Sequence, residues 1–162
     1  MKKLLVTTLA LLASSPALAD SWIYGGVSVG SSEYEEQNSI SHSFFVGTGI
    51  MPWVGLEGGY SDFGKFDLGG GKVWGESVYG AIKPNLNFGP LQLYAKLGVN
   101  SWVLEGDDDT TIADDDGLDP MWSVGADYTF LGPIALGVEY SNYSFGDKDV
   151  RSVNLTATIY MF

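Results

Sequence analysis

The sequence predicts an all-β protein, an eight-stranded antiparallel up-and-down transmembrane β-barrel. Three observations carry that prediction. Apolar and polar residues alternate with period two, the period of a strand. The connections between the alternating runs go long, short, long, short along the chain, and Pro or Gly marks the short ones. The 162 residues include 22 Gly, are 14% aromatic and hold no Cys, a composition of strands and turns rather than of a helical bundle.

Residues 1–19 read MKKLLVTTLALLASSPALA. Lys2 and Lys3 give a positive start, residues 4–12 are apolar, and Ala17-Leu18-Ala19 is a small-x-small cleavage pattern. This is the form of a secretory signal, and the apolar stretch is too short to span a bilayer as a helix. The mature domain is therefore expected at 20–162. No later stretch is apolar for long enough to form a spanning helix, so entry into a membrane requires a closed β-barrel.

Alternation is clearest at 91–100. Leu91, Leu93, Ala95, Leu97 and Val99 share one side, and Gln92, Tyr94, Lys96, Gly98 and Asn100 the other. It recurs at 122–130, at 134–141 and at 54–61. Weaker runs at 22–30, 41–50, 74–85 and 152–162 complete eight strands. Glu76 and Val78 share a side in the 74–85 run, which leaves its facing open. In the last run the apolar parity is Val153, Leu155, Ala157, Ile159 and Met161, whereas Tyr160 and Phe162 fall on the other. A bulge near the end, or a rim position for these two aromatics, would reconcile that.

The connections are 31–40, 51–52, 61–73, 86–90, 104–120, 131–133 and 142–150. A meander with this rhythm gathers four long extracellular loops at one end and the tight periplasmic turns at the other, the pattern of an outer-membrane barrel. Alternation alone also fits a soluble ligand-carrying barrel. The polar face decides for the membrane: it is rich in Gly, Ser and Thr with isolated charges, which suits a narrow eight-stranded interior. Aromatics also collect at strand ends. Trp53, Tyr128, Phe130, Tyr160 and Phe162 lie toward the turns, and Tyr60, Trp74, Trp122 and Tyr140 toward the loops, as membrane-interface belts do.

A Lys facing lipid at mid-depth costs about 2–4 kcal/mol in a barrel. Lys96 must therefore point inward, as must Glu57, Asp127 and Glu139. These are expected to meet in one layer, with Lys96 between acidic partners including Asp127, and with Lys83 joining from the neighbouring strand. The reading that follows is a structural interior network. The alternative is a narrow, low-conductance conduit.

The segment FFVGTGIMPWVGLEGGYSDFG (44–64) resembles the second and third strands of the OmpA-like transmembrane barrel family. LYAKLGVNSW (93–102), DGLDPMWSVGADYTF (116–130) and GVEYSNYSFGD (137–147) are similar to its later strands. The resemblance covers 20–162. It implies an eight-stranded outer-membrane barrel with a polar interior network and mobile surface loops, and Glu57, Lys96 and Glu139 match positions where that family carries interior charges. It also implies contact with outer-membrane lipid and lipopolysaccharide, insertion through the barrel-assembly machinery, and a monomer. The family's peptidoglycan-binding domain has no counterpart here, so a cell-wall tether is not expected.

Other chemistry fails on inspection. Lys and Arg number 8 against 20 Asp and Glu, a formal charge of -12. Such a chain is a poor nucleic-acid ligand. Lack of cysteine excludes disulfides, thiolate metal sites and lipoprotein acylation. His42 is the only histidine; a lipid-modifying enzyme would need a serine beside it, but Ser41 and Ser43 must face the opposite side of the strand. No enzyme activity and no cofactor are expected. Asp107, Asp108, Asp109, Asp114, Asp115 and Asp116 make the third loop acidic without EF-hand spacing. They are read as a solvated loop, with weak Ca²⁺ or Mg²⁺ binding as the alternative.

Overall fold

In the computed structural model, residues 23–68, 71–106 and 115–161 are described. They form one closed barrel of eight strands: β1 (Ile23–Tyr34), β2 (Gln37–Met51), β3 (Val54–Leu68), β4 (Gly71–Phe88), β5 (Leu91–Gly106), β6 (Asp115–Leu131), β7 (Ile134–Phe145) and β8 (Lys148–Met161). Each strand is antiparallel to its chain neighbour, and β1 closes the ring on β8. Closure leaves no unpaired edge.

The barrel is inverted relative to a water-soluble protein. Leu93, Leu97 and Val99 of β5 are exposed on the outer wall, whereas Tyr94, Lys96 and Asn100 are buried. The same holds where the sequence left the facing open. On β4, Val73, Ser77, Tyr79 and Lys83 point in while Glu76, Val78 and Ile82 point out. On β8, Val153, Leu155, Ile159 and Met161 are outside, with Asn154, Thr156, Thr158 and Tyr160 inside. The β8 ladders run without a register shift, so no bulge reconciles its two parities. Tyr160 instead enters the barrel and its hydroxyl donates to Gln92 Oε1 at 3.2 Å. It is not a belt residue. Phe162 lies outside the described residues.

The strands outlast the runs from which they were inferred. Outward side chains stay apolar from Ile50 to Phe44 on β2 apart from Thr48, and from Met161 to Val153 on β8. With about 2.5 Å of axial rise per tilted residue these runs cover about 15 Å on β2 and about 20 Å on β8, close to the height of a membrane-barrel apolar band. Beyond that band, pairing simply continues. The connections expected as long loops at 31–40 and 142–150 are two-residue turns, Glu35–Glu36 and Gly146–Asp147, on protruding hairpins. Likewise β3 and β4 run to Leu68 and from Gly71. The connections at 31–40 and 142–150 are thus strand extensions, because Ser, Tyr and Phe keep alternating past the membrane band. Glu35 and Glu36 adopt φ of 47° and 65°, the primed-turn geometry that normally selects Asn and Gly.

What lets aromatic rings fit inside eight strands is glycine. Tyr24 faces Gly47 across β1–β2, Phe45 faces Gly26, Tyr79 faces Gly59, Tyr94 faces Gly125 and Trp102 faces Gly117. A Cβ on any of these glycines would lie 2.1–2.8 Å from the opposing ring. Each ring therefore lies flat over the bare backbone of its cross-strand partner. On the outer wall the reverse applies: a Cβ at Gly80 meets nothing within 4 Å.

Gly125→Val is accordingly expected to destabilise the barrel by about 1–3 kcal/mol through overpacking against Tyr94. Gly80→Val is expected to be nearly neutral. Urea unfolding of both variants in lipid vesicles checks this, and equal losses would contradict it.

Candidate functional site

At the heart of the barrel, four strands bring four charges together. Lys96 Nζ lies 2.5 Å from Glu57 Oε1 and 2.6 Å from Glu139 Oε2. Lys83 Nζ lies 3.2 Å from Glu57 Oε2. All four side chains are nearly inaccessible. Phenols and a serine complete the shell. Tyr24 and Tyr79 donate to Glu57 at 3.0 and 2.7 Å, Tyr94 donates to Glu139 at 2.8 Å, and Ser141 donates to its other oxygen at 2.9 Å. Every carboxylate oxygen of the pair thus has a donor, and two acids balance two bases. That is the condition under which buried charge is tolerated. The lysines also lie over aromatic faces: Lys83 is 4.2 Å from the Tyr94 ring centroid and Lys96 is 5.0 Å from that of Phe45, a further cation–π attraction.

Asp127 departs from the expected arrangement. It is buried, but its partner is the Thr156 hydroxyl at 2.9 Å, and it forms no ion pair within 4.0 Å among the described residues. The reason is register. Across β5–β6, Lys96 lies opposite Ser123, whereas Asp127 lies opposite Gln92, four residues nearer the tight turns. Adjacent strands do not imply equal height.

Above the charge layer come hydroxyls. Ser41 donates to Asn154 Oδ1 at 2.7 Å and Ser43 to Ser61 at 3.0 Å. Higher still, the interior turns apolar: Tyr34, Phe63, Phe66, Val73, Trp102, Leu104, Phe145 and Val150 are buried there. The Trp102 and Phe145 rings stack at 4.9 Å and 9°, and Phe63 meets Phe145 edge-on at 5.6 Å. A bulge between Asp62 and Lys65 makes this possible. It turns both Phe63 and Phe66 inward, three residues apart, which strict alternation forbids. Asp119 fastens the top. Its Oδ2 accepts the Trp102 indole N–H at 2.7 Å and the Gly146 amide at 2.8 Å. Lys148 pairs with Glu35, joining the β7–β8 turn to the β1–β2 turn.

The remaining expected residues are dispersed. Trp53, Trp122 and Tyr128 are exposed on the outer wall, and Trp74 and Tyr140 are half-exposed there. Trp122 packs against Tyr140 at 5.6 Å, and Lys65 lies 5.0 Å over Trp74. Asp107, Asp108, Asp109 and Asp114 lie outside the described residues; Asp115 begins β6 and Asp116 is exposed beside it. No group of three or more acidic, His or Cys side chains among the described residues is arranged to hold a metal. His42 points outward while its serine neighbours point in.

Sequence reading missed the phenols around Glu57 and Glu139, the ring-over-glycine pairs and the aromatic plug. Tyr94 and Gly125 did carry a signal, since both fall on the inward parity. The Phe63–Phe66 pair carried none, because a bulge breaks the parity that would announce it.

A closed, fully paired barrel with an apolar outer band and ionised residues inside defines an integral membrane protein that crosses with strands. The outer membrane protein beta-barrel domain family model matches residues 4–160, and the chain belongs to that family; it is an integral outer-membrane protein of the Gram-negative type. Among solved structures it is similar to Neisserial surface protein A, with a TM-score of 0.69 at 9% identity over 86% of this chain and 96% of that one. It is also similar to the N-terminal β-barrel domain of OprF from Pseudomonas aeruginosa (TM-score 0.66, 12% identity, 85% and 97% covered). A third is Ail, the attachment invasion locus protein of Yersinia pestis, in complex with the heparin analogue sucrose octasulfate (TM-score 0.61, 11% identity, 86% and 96% covered). No curated protein matches the sequence.

Removing Lys96 alone strands Glu139 as an uncompensated buried charge, whereas Glu57 keeps Lys83. Lys96→Met should cost about 3–5 kcal/mol in unfolding from vesicles, and Lys96→Met with Glu139→Gln should recover most of it. Additive losses would contradict the pairing. At the mouth, hydrogen bonds from the Gly146 amide first and the Trp102 indole second hold the Asp119 carboxyl below its ordinary range. A depressed carboxylate stabilises above its unfolded pKa and loses that contribution as pH falls through the folded one. The Trp102 indole resonance should therefore titrate below the ordinary aspartate range, and Asp119→Asn should abolish the titration; a midpoint in the ordinary range would contradict the clasp.

Proposed function

We propose that the protein is a closed, monomeric outer-membrane barrel whose role is structural and surface-interacting, displayed by its extracellular hairpins after export through the 1–19 signal. The observation that carries this is the doubly blocked interior. Lys96 is held between Glu57 and Glu139 at one level, and the rings of Phe63, Trp102 and Phe145 fill the next. Eight strands leave little lumen once side chains occupy it. The low-conductance pore is the second reading, supported by the polar hydroxyl layer between those two levels.

The chemistry of a surface partner follows from charge. Excluding the signal, 6 cationic side chains face 20 acidic ones, and Lys83 and Lys96 are sequestered inside. A sulfated sugar of the kind bound to Ail would be repelled. The 107–116 segment instead suits a cationic ligand, with weak divalent-cation bridging to lipopolysaccharide as its lesser alternative. Catalysis is not proposed, because Ser41 and Ser43 are hydrogen-bonded inside the barrel with His42 outside it.

Two measurements test this. Planar-bilayer recording of the purified chain should show no discrete conductance steps; steps whose size changes in Lys96→Met would replace this reading with the pore. Deleting 107–114 should leave the heat-dependent gel shift of a folded barrel intact while reducing binding of an oligolysine peptide to whole cells several-fold. Unchanged binding would remove the loop from the account.

A further inference from the structure

The interior of the barrel is one charge out of balance. Among the described residues three buried acids, Glu57, Asp127 and Glu139, face two buried bases, Lys83 and Lys96. Both bases are committed to Glu57 and Glu139. The odd charge is therefore Asp127, which is 2% exposed. Its neighbours are neutral oxygens. Asp127 Oδ1 leans across the bare backbone of Gly137 to accept the Thr156 hydroxyl at 2.9 Å, and a Cβ on Gly137 would collide with both groups. Across β5–β6 its register partner is Gln92, whose Oε1 accepts the Tyr160 hydroxyl at 3.2 Å. Thr158 stands between Thr156 and Tyr160 on the same inward face of β8. It is 1% exposed, and its hydroxyl has no hydrogen-bond partner.

We infer that Asp127, Thr158 and Gln92 form a site for one small monovalent cation, sodium or potassium, taken up from the periplasmic end of the barrel. Charge selects the class. A buried carboxylate without a counter-charge is costly. One positive charge closes the interior balance at zero, whereas a divalent ion overshoots it. The donors agree: carboxylate, amide and hydroxyl oxygens are hard ligands, and Thr158 brings lone pairs that nothing else uses. Access agrees as well. Toward the tight turns the interior is lined by Asn85, Asn87 and Gln92, which are only half-buried. Asn87 donates to Asn85 at 3.0 Å and Gln92 to Asn87 at 2.9 Å, so a hydrated ion meets amides on its way in. The site ends at the Lys96 layer, whose ammonium turns a cation back. It is independent of any surface partner.

Urea unfolding of the full chain in vesicles tests it, with sodium or potassium chloride compared against N-methylglucamine chloride, whose bulky cation cannot enter, at equal ionic strength. Binding to the folded state alone should raise the folded-to-unfolded ratio about tenfold when the metal ion is at ten times its dissociation constant. Thr158→Val keeps the volume but removes a ligand oxygen, so the same gain should need several-fold more salt. Asp127→Asn should lose the gain altogether. In N-methylglucamine that variant should be more stable than the unaltered protein, because the unmatched charge is gone. Equal stability of the unaltered protein in all three salts would overturn the site and leave the charge to be met by a proton. A gain that survives in Asp127→Asn would overturn it too, by placing the cation on the acidic exterior, and so would a Thr158→Val response identical to that of the unaltered protein.

Discussion

A lysine at mid-depth in a membrane protein is tolerable only when it is turned away from lipid and matched, and Lys96 meets both conditions. Its ammonium bridges Glu57 and Glu139 at 2.5 and 2.6 Å. Much of the architecture follows from keeping it there. The strand must alternate without slipping, because a one-residue shift would move the whole polar set of β5 into hydrocarbon. The acids must be satisfied from the sides, so Tyr24, Tyr79 and Tyr94 bring their hydroxyls to them. The phenol rings in turn need room in a narrow barrel, and Gly47, Gly59 and Gly125 supply it. Charge, ring and glycine form one dependent chain.

That dependence sets what the interior can do. A pinned charge layer lies beneath an aromatic plug, and together they stiffen the wall; under the proposed reading they also close the passage. Stiffness is useful to a protein that presents hairpins, since the hairpins here are direct continuations of the barrel strands. The mouth is tied to itself as well: Asp119 joins β6 to Trp102 of β5 and to the β7–β8 turn, and Lys148 joins that turn to the next hairpin.

Strand number, order and inversion were legible in the sequence because period-two alternation is a local signal and closure is forced by the membrane. Lys96 and Glu139 could be turned inward on the same ground, since facing lipid is so costly. What alternation does not encode is height. Asp127 lies opposite Gln92 rather than Lys96, a fact of barrel register that no single strand carries. Nor does it encode where pairing stops. Residues 31–40 and 142–150 read as loops because their composition turns polar, yet polar residues continue a ladder perfectly well once water can solvate its outer face. The bulge between Asp62 and Lys65 hid the plug for a similar reason: it changes the phase in which Phe66 must be read.

The central claim is the phase of alternation, and the cysteine-free sequence allows it to be read directly. Single cysteines placed in turn at positions 93–99, spin-labelled in vesicles, report accessibility to oxygen dissolved in lipid. The account predicts a strict two-residue oscillation, with Leu93, Leu97 and Val99 high and Tyr94 and Lys96 low. An oscillation of opposite phase, or none at all, would contradict it.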